Sequence, residues 1–250
     1  MGGVSGRSTG GVVVAVDGPS GSGKSSTSRE VAVRLGLRYL DTGAMYRAMT
    51  WWMLQHRVAV EDADAVAAHA DQPLLVLGTD PRAPTVTVDG TDVAGPIRGP
   101  EVTGAVSAVS AVPQVRERLL HEQQAIIGAG GIVVEGRDIG TVVAPDADVK
   151  VFLTADPEAR ATRRTAEQRG SDVAATQQDL VRRDTIDSGR ATSPLAMAVD
   201  ARHIDTTPYT LAEVVDQVVA LVEDVQEDSG RDVHARYARK KAHDLPVRSD

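Results

Sequence analysis

An all-apolar run, Val12 to Val16, leads directly into Gly18-Pro19-Ser20-Gly21-Ser22-Gly23-Lys24-Ser25, and a segment of helical spacing, Ser25 to Leu35, follows. An uninterrupted apolar run suits a strand buried on both faces of a parallel sheet. The turn matches G-x-x-x-x-G-K-[ST] in full and stands between a strand and a helix, which is the context the motif needs. Its glycines let successive backbone N–H groups point inward at phosphate oxygens, and the helix N-terminus adds a favourable dipole. Lys24 reaches the outer phosphates and the Ser25 hydroxyl is placed to ligate Mg²⁺. Gly18, Pro19, Ser20, Gly21, Ser22, Gly23, Lys24, Ser25 and Ser26 are therefore the candidate residues for a nucleoside triphosphate.

The loop does not say what is done with the triphosphate. A GTP-reading switch protein usually carries an Asn-Lys-x-Asp motif, and this chain contains no asparagine. Val133-Val134-Glu135 could imitate the acidic strand end of a work-performing ATPase. The net charge is −8, which argues against the basic field of a general nucleic-acid binder. The absence of cysteine excludes disulfides, thiolate metal sites and a cysteine nucleophile. No stretch approaches the ~20 apolar residues of a membrane span. Cytoplasmic location is the default expectation.

Along the chain, strand and helix patterns alternate, which predicts an α/β domain with a parallel sheet and helices on both faces. The expected strands are Val12 to Val16, Leu37 to Leu40, Gly131 to Glu135, Val149 to Thr154 and Arg202 to Asp205. Helices are expected at Gly43 to Gln55, Glu61 to Ala70, Glu101 to Val112, Pro113 to Ile127, Asp156 to Arg169, Val173 to Thr185 and Thr210 to Val225. Between about Ala70 and Pro100 the pattern turns to short strands with an Asp89-Gly90 hairpin signal, which reads as a small β-containing insert. Residues 1–11 read as a flexible leader, 12–225 as one domain, and 226–250, charged and without clear period, as a mobile tail.

Arginines cluster in this acidic chain. Arg160, Arg163 and Arg164 recur at i, i+3, i+4 on one helix face, Arg169 follows, and Arg182, Arg183 and Arg190 come after. Bidentate guanidinium groups suit phosphate oxygens, and phosphoryl transfer needs charge neutralised on the moving group and its neighbours. The first group, at about 157–172, reads as a phosphate-covering helical lid; the bland alternative is a solvated face paired with Glu158 and Glu167. Arg47 follows the second strand, and Arg137-Asp138 follows another. Parallel strand ends share one edge, so these residues are expected beside the glycine loop.

Val16-Asp17-Gly18-Pro19-Ser20-Gly21-Ser22-Gly23-Lys24, Asp41-Thr42-Gly43-Ala44-Met45-Tyr46-Arg47, Glu135-Gly136-Arg137-Asp138-Ile139-Gly140-Thr141-Val142-Val143, Val149-Lys150-Val151-Phe152-Leu153, and Arg183-Asp184 with Asp187 and Arg190 together resemble bacterial cytidylate kinases, along the chain from Val12 to about Val225. The resemblance implies a P-loop three-layer α/β/α fold with a five-stranded parallel sheet, a nucleoside-monophosphate-binding insert and an arginine-rich lid. It implies a monomeric enzyme using ATP and Mg²⁺ to phosphorylate CMP or dCMP. Thr42, Arg116 and Asp138, with Ser107, would surround the cytosine. Asp187 would hold the sugar. Arg47, Arg137, Arg183 and Arg190 would bind the acceptor phosphate, with Ser20 next to it. Lys24, Arg163, Arg164 and Arg183 would stabilise the transferring group. Asp205-Thr206-Thr207 resembles the loop near the adenine. Thr42 departs from members that carry serine, and the charged segment after Val225 has no counterpart in the resemblance. A kinase for adenylate, uridylate or shikimate, or an acceptor-independent ATPase, would share the loop.

Overall fold

The valine-rich run forms strand β1 (Val13–Asp17) at the centre of a five-stranded sheet in a computed structural model that describes residues 11–167, 172–190 and 193–243. The chain continues through α1 (Lys24–Leu35), β2 (Arg38–Asp41), α2 (Thr42–Gln55) and α3 (Ala63–His69). Three short strands follow, β3 (Leu75–Leu77), β4 (Val86–Val88) and β5 (Thr91–Asp92), then α4 (Pro100–Ala111), α5 (Pro113–Ile127) and β6 (Ile132–Gly136). The remaining elements are β7 (Val149–Thr154), α6 (Pro157–Glu167), α7 (Val173–Ser188), β8 (Arg202–Asp205) and α8 (Leu211–His243).

The large sheet is parallel throughout, in the order β2-β6-β1-β7-β8. Residues of alternate parity face opposite layers, as a strand requires. Ala15, Leu40, Ile132 and Val134 join one apolar cluster with α2, α4 and α5 residues such as Met49, Val109 and Leu119. Val14, Val16, Tyr39 and Val133 join a second with Val31 of α1 and Val214, Val215 and Val218 of α8. This is the expected three-layer α/β/α arrangement.

Register pairs Asp17 with Gly136 and Asp41 with Glu135, so the C-terminal ends of β1, β2 and β6 form one polar row. Both carboxylate oxygens of Asp17 are occupied. They accept the backbone N–H groups of Ile139 (2.8 Å) and Gly140 (2.7 Å). These donors open a single π-helical turn, Ile139–Val143, which the sequence patterns did not anticipate.

The small sheet is antiparallel, in the order β3-β4-β5. Its Asp89-Gly90 turn has positive φ at both residues (50° and 79°), matching the turn chemistry expected. Asp89 fastens this hairpin to α2 by accepting Trp52 Nε1–H at 2.8 Å. The connection between β3 and β4 lies against the edge strand β2 and against α1: Tyr39 N donates to Thr79 O at 2.9 Å and Arg29 Nε to Pro81 O at 3.1 Å.

At the end of the chain the structure departs from expectation. The segment read as a mobile tail is helical to His243 as the continuation of α8. Ending the helix at Val225 rested on the loss of apolar period alone. Arg, Ala and Lys recur through residues 226–243 and favour helix without an apolar face. Residues 1–10, 168–171 (which include Arg169) and 244–250, parts of the expected leader, lid and tail, lie outside the described residues. Among the described residues no helix is long and apolar enough to cross a membrane.

Candidate functional site: a cleft between the glycine loop and an arginine cluster

The loop after β1 takes its shape from backbone that only glycine tolerates. Gly18 has φ +145°, and a Cβ there would sit 2.0 Å from the Leu153 carbonyl oxygen. Gly21 has φ +77° and lies against Arg160, whose Cβ and carbonyl oxygen would each be 3.1 Å from an added Cβ. Lys24, the first residue of α1, folds back so that Nζ donates to Pro19 O at 2.8 Å. The Ser22 hydroxyl donates to the same carbonyl at 3.0 Å.

A cleft of about 570 Å³ opens from this loop. On the loop side it is lined by Ser20, Gly21, Gly23, Lys24, Ser25 and Ser26; Gly18, Pro19 and Ser22 back the loop without lining this cleft. From the opposite side come Arg47 on α2, Arg137 and Asp138 after β6, Arg164 on α6, and Arg183, Asp187 and Arg190 on and just after α7. Thr42, Ser107 and Arg116 complete the set. Residues spread over the sequence from Ser20 to Arg190 thus meet at one rim.

Their partners divide them. Arg116 and Asp138 form an ion pair, each side chain less than a tenth exposed. Arg116 also donates to Ser110 O at 3.2 Å and lies over the Tyr46 ring at 5.4 Å. Burial pushes the Asp138 carboxyl up, and Arg116 opposes the shift. Asp187 is shared by two arginines: Oδ2 pairs with Arg137 Nε at 3.1 Å, and Oδ1 with Arg190. Arg137 reaches back to the glycine loop, donating from its guanidinium to Gly18 O at 2.7 Å. Thr42 donates its hydroxyl proton to Glu135 O at 2.7 Å, so only its lone pairs remain to meet a ligand N–H.

Arg47, Arg164 and Arg183 crowd together. Burial and the charges of Arg183 and Arg164 press the Arg47 guanidinium down to about 9. Burial and Arg137 press Arg183 downward in the same way. An arginine does not lose its proton near neutrality, so the crowding marks a place where an anion is strongly favoured.

Arg160, Arg163 and Arg164 do not act on one common face. Arg160 is buried; it pairs with Asp184 of α7 and donates to Ser20 O at 3.2 Å, fastening both helices to the loop. Arg163 turns the other way and donates to Thr206 Oγ1 (2.8 Å) and Thr206 O (2.9 Å). It lines a second cavity of about 200 Å³ with Ser22, Thr27, Thr206 and Tyr209. Of the three, only Arg164 lines the main cleft.

Glu135 is the functional candidate that sequence reasoning left aside. Its strand-end position after two valines was the available signal. Its carboxylate accepts the Ser25 hydroxyl at 2.9 Å and the Tyr39 hydroxyl. Burial pushes Glu135 up to about 7, with the Asp41 charge adding to the rise, and pushes Lys24 down to about 8, with Arg137 adding to the fall. Burial raises Asp17 to about 6. These carboxyls hold protons in the folded chain that the unfolded chain has released at the same pH. Stability of the nucleotide-free protein is therefore expected to fall as pH rises through the interval from about 4 to 7. Calorimetry at a series of pH values should find the melting temperature dropping across that range, with a smaller drop in Glu135→Gln. A flat wild-type profile would refute the assignment.

The glycine loop, the parallel sheet and the strand-end cleft define an α/β protein of the P-loop class. A family model described as cytidylate kinase matches residues 14–224, and the chain belongs to that family. Among its curated relatives is a cytidylate kinase of Streptomyces griseus, 62% identical over 214 residues, with 85% of this chain and 93% of that protein covered. Cytidylate kinases of Streptomyces avermitilis and Streptomyces coelicolor are 60% and 61% identical over 215 residues, with the same coverage.

Proposed function

We propose that this protein transfers the γ-phosphoryl group of ATP to CMP or dCMP, releasing ADP and CDP or dCDP. The observation that carries the reading is a single cleft with backbone amides and Lys24 on one side and a guanidinium cluster on the other. Two nucleotides with their phosphates facing would fill it.

In this reading the loop at residues 18–26 holds the ATP phosphates. Arg47, Arg137, Arg183 and Arg190 grip the acceptor phosphate, with Ser20 beside it. Arg116 and Asp138 read the cytosine edge, with Thr42 and Ser107 close by, and Asp187 holds the sugar. The small sheet serves as the acceptor-side insert and α6–α7 as the lid. The acceptor oxygen is already anionic, so no general base is required; the rate comes from in-line placement and charge neutralisation. Lys24, Arg164 and Arg183 neutralise the moving group.

The donor chemistry suits Mg²⁺. The Ser25 hydroxyl and the Glu135 carboxylate are hard oxygen donors 2.9 Å apart. Among the described residues no cluster of three or more His, Cys, Asp or Glu could hold a metal alone, so phosphate oxygens and water would complete the shell. When bound, the ion would neutralise charge on the phosphates. A monomer in the cytoplasm is the simplest setting for such an enzyme.

An ADP-release assay with CMP, dCMP, UMP and AMP, with and without Mg²⁺, tests the proposal. CMP and dCMP should be the best acceptors, and omission of either acceptor or Mg²⁺ should abolish turnover. ADP release at full rate without any acceptor would replace a kinase by an ATPase.

Arg163 carries a separate prediction. Its hydrogen bonds to Thr206 support a role on the ATP side. Arg163→Ala should raise KM for ATP about ten- to a hundredfold, the worth of a charge-assisted hydrogen bond, with KM for CMP unchanged. Equal rises for both substrates in initial-rate kinetics would remove the assignment.

A further inference from the structure

Ser110 lies in the last turn of α4 and is 5% exposed. No sequence motif drew attention to it, yet it joins the two halves of the acceptor side. A residue in a helix's final turn has a carbonyl with no intrahelical partner. That carbonyl accepts Arg116 NH1 at 3.2 Å. Its hydroxyl accepts Arg190 NH2 at 2.9 Å and donates its proton to Ser107 O at 3.2 Å. One buried serine thus touches the arginine paired with Asp138 and the arginine paired with Asp187.

Both arginines are buried and incompletely satisfied. Neither Arg116 Nε nor Arg190 Nε has a partner. Among the described residues Arg190 is held by Asp187 and Ser110, and Asp187 is at the same time bound to Arg137. Without the serine hydroxyl, Arg190 can follow Asp187 toward Arg137 or turn away into the cleft. With it, the guanidinium is fixed from α4, the helix that also carries Ser107.

We propose that Ser110 is a positioning residue that sets Arg190, and through it Asp187, in register with the Arg116–Asp138 pair, so that the base and the sugar-phosphate of one acceptor are gripped together. This rests on the CMP kinase reading above. Ser110 touches no reacting atom. It confers selectivity, because a base that misplaces Arg116 also disturbs the phosphate grip through a shared neighbour.

The test compares full-length wild type with Ser110→Ala, Ser110→Cys and Ser110→Thr, measuring kcat, KM for CMP, UMP and ATP, and melting temperature. Ser110→Ala should raise KM for CMP about ten- to a hundredfold, the order expected for one hydrogen bond to a buried charge. KM for ATP should stay constant, kcat should change less than about twofold, and the preference for CMP over UMP should shrink. Ser110→Thr, which keeps the hydroxyl, should restore both KM and preference. Ser110→Cys keeps the volume with a much weaker hydrogen-bonding group, and reports the same loss if the alanine variant folds poorly. Ser110→Ala combined with Arg190→Lys should cost less than the sum of the single changes. The proposal is overturned if KM for CMP is unchanged in both the alanine and cysteine variants, or if the double change is additive. Should wild type itself fail to phosphorylate CMP, the functional reading falls first; an active wild type with indifferent variants removes Ser110 alone.

Discussion

Replacing Lys24 by methionine should lower kcat for phosphoryl transfer by about 10²–10³-fold, the usual cost of removing one preorganised charge from a transition state. Methionine matches the apolar stem and stops one atom short, where the ammonium was, so packing of α1 is preserved. What disappears is an ammonium that burial already holds down to about 8 and that hydrogen-bonds Pro19 O at 2.8 Å in the nucleotide-free loop. When the ammonium leaves that carbonyl for a triphosphate, a bond to a neutral oxygen is exchanged for a stronger one to an anionic oxygen. The methionine variant should melt at or above the wild-type temperature, since an ion that is costly to bury has been removed. Steady-state rates and calorimetry read the two effects separately. A variant with full kcat would mean that the loop does not carry the reaction.

Asp138→Ala should produce the second large effect. Arg116 is buried, and Asp138 is its only ion-pair partner among the described residues. Breaking a buried pair by removing one member costs about 3–5 kcal/mol, because the surviving charge is stranded. Stability should fall by about that amount, read by chemical denaturation. KM for CMP should rise at least tenfold in the fraction that folds. Arg182→Ala is the matched control: that arginine is half exposed and pairs with Asp179 one turn away, so its loss should change either quantity little. Asp138→Asn separates the effects further, since an amide oxygen still accepts from Arg116 while the charge is gone. If Asp138→Ala and Arg182→Ala behaved alike, the cytosine-reading role of Asp138 would be lost.

Much of this architecture was legible because local and global signals agreed. The valine run, the glycine turn and the helix after it each point to a buried parallel strand feeding a phosphate-binding loop, and the sheet order then brings Arg47 and Arg137 to the same rim. The directions of individual arginines were not legible. Spacing places Arg160, Arg163 and Arg164 on one face, but long side chains rising from one face can reach carbonyls on different sides, and the positions of Ser20 and Thr206 decide that. Ser110 was invisible because its importance lies in a hydroxyl and a helix-end carbonyl that meet arginines from other elements, which depends on where α4 stops. The helix beyond Val225 was missed because its sequence carries propensity without period.

Asp17 stands one residue before the glycine loop, and its carboxylate grips the chain immediately after Arg137 and Asp138, while Arg137 itself reaches back to Gly18 O. The glycine loop and the turn that carries Arg137 and Asp138 are therefore riveted to each other at the ends of β1 and β6. In the proposed reading this inner joint gauges the gap that two facing phosphates must span, and movements of the outer helices would screen the reaction from water without stretching it.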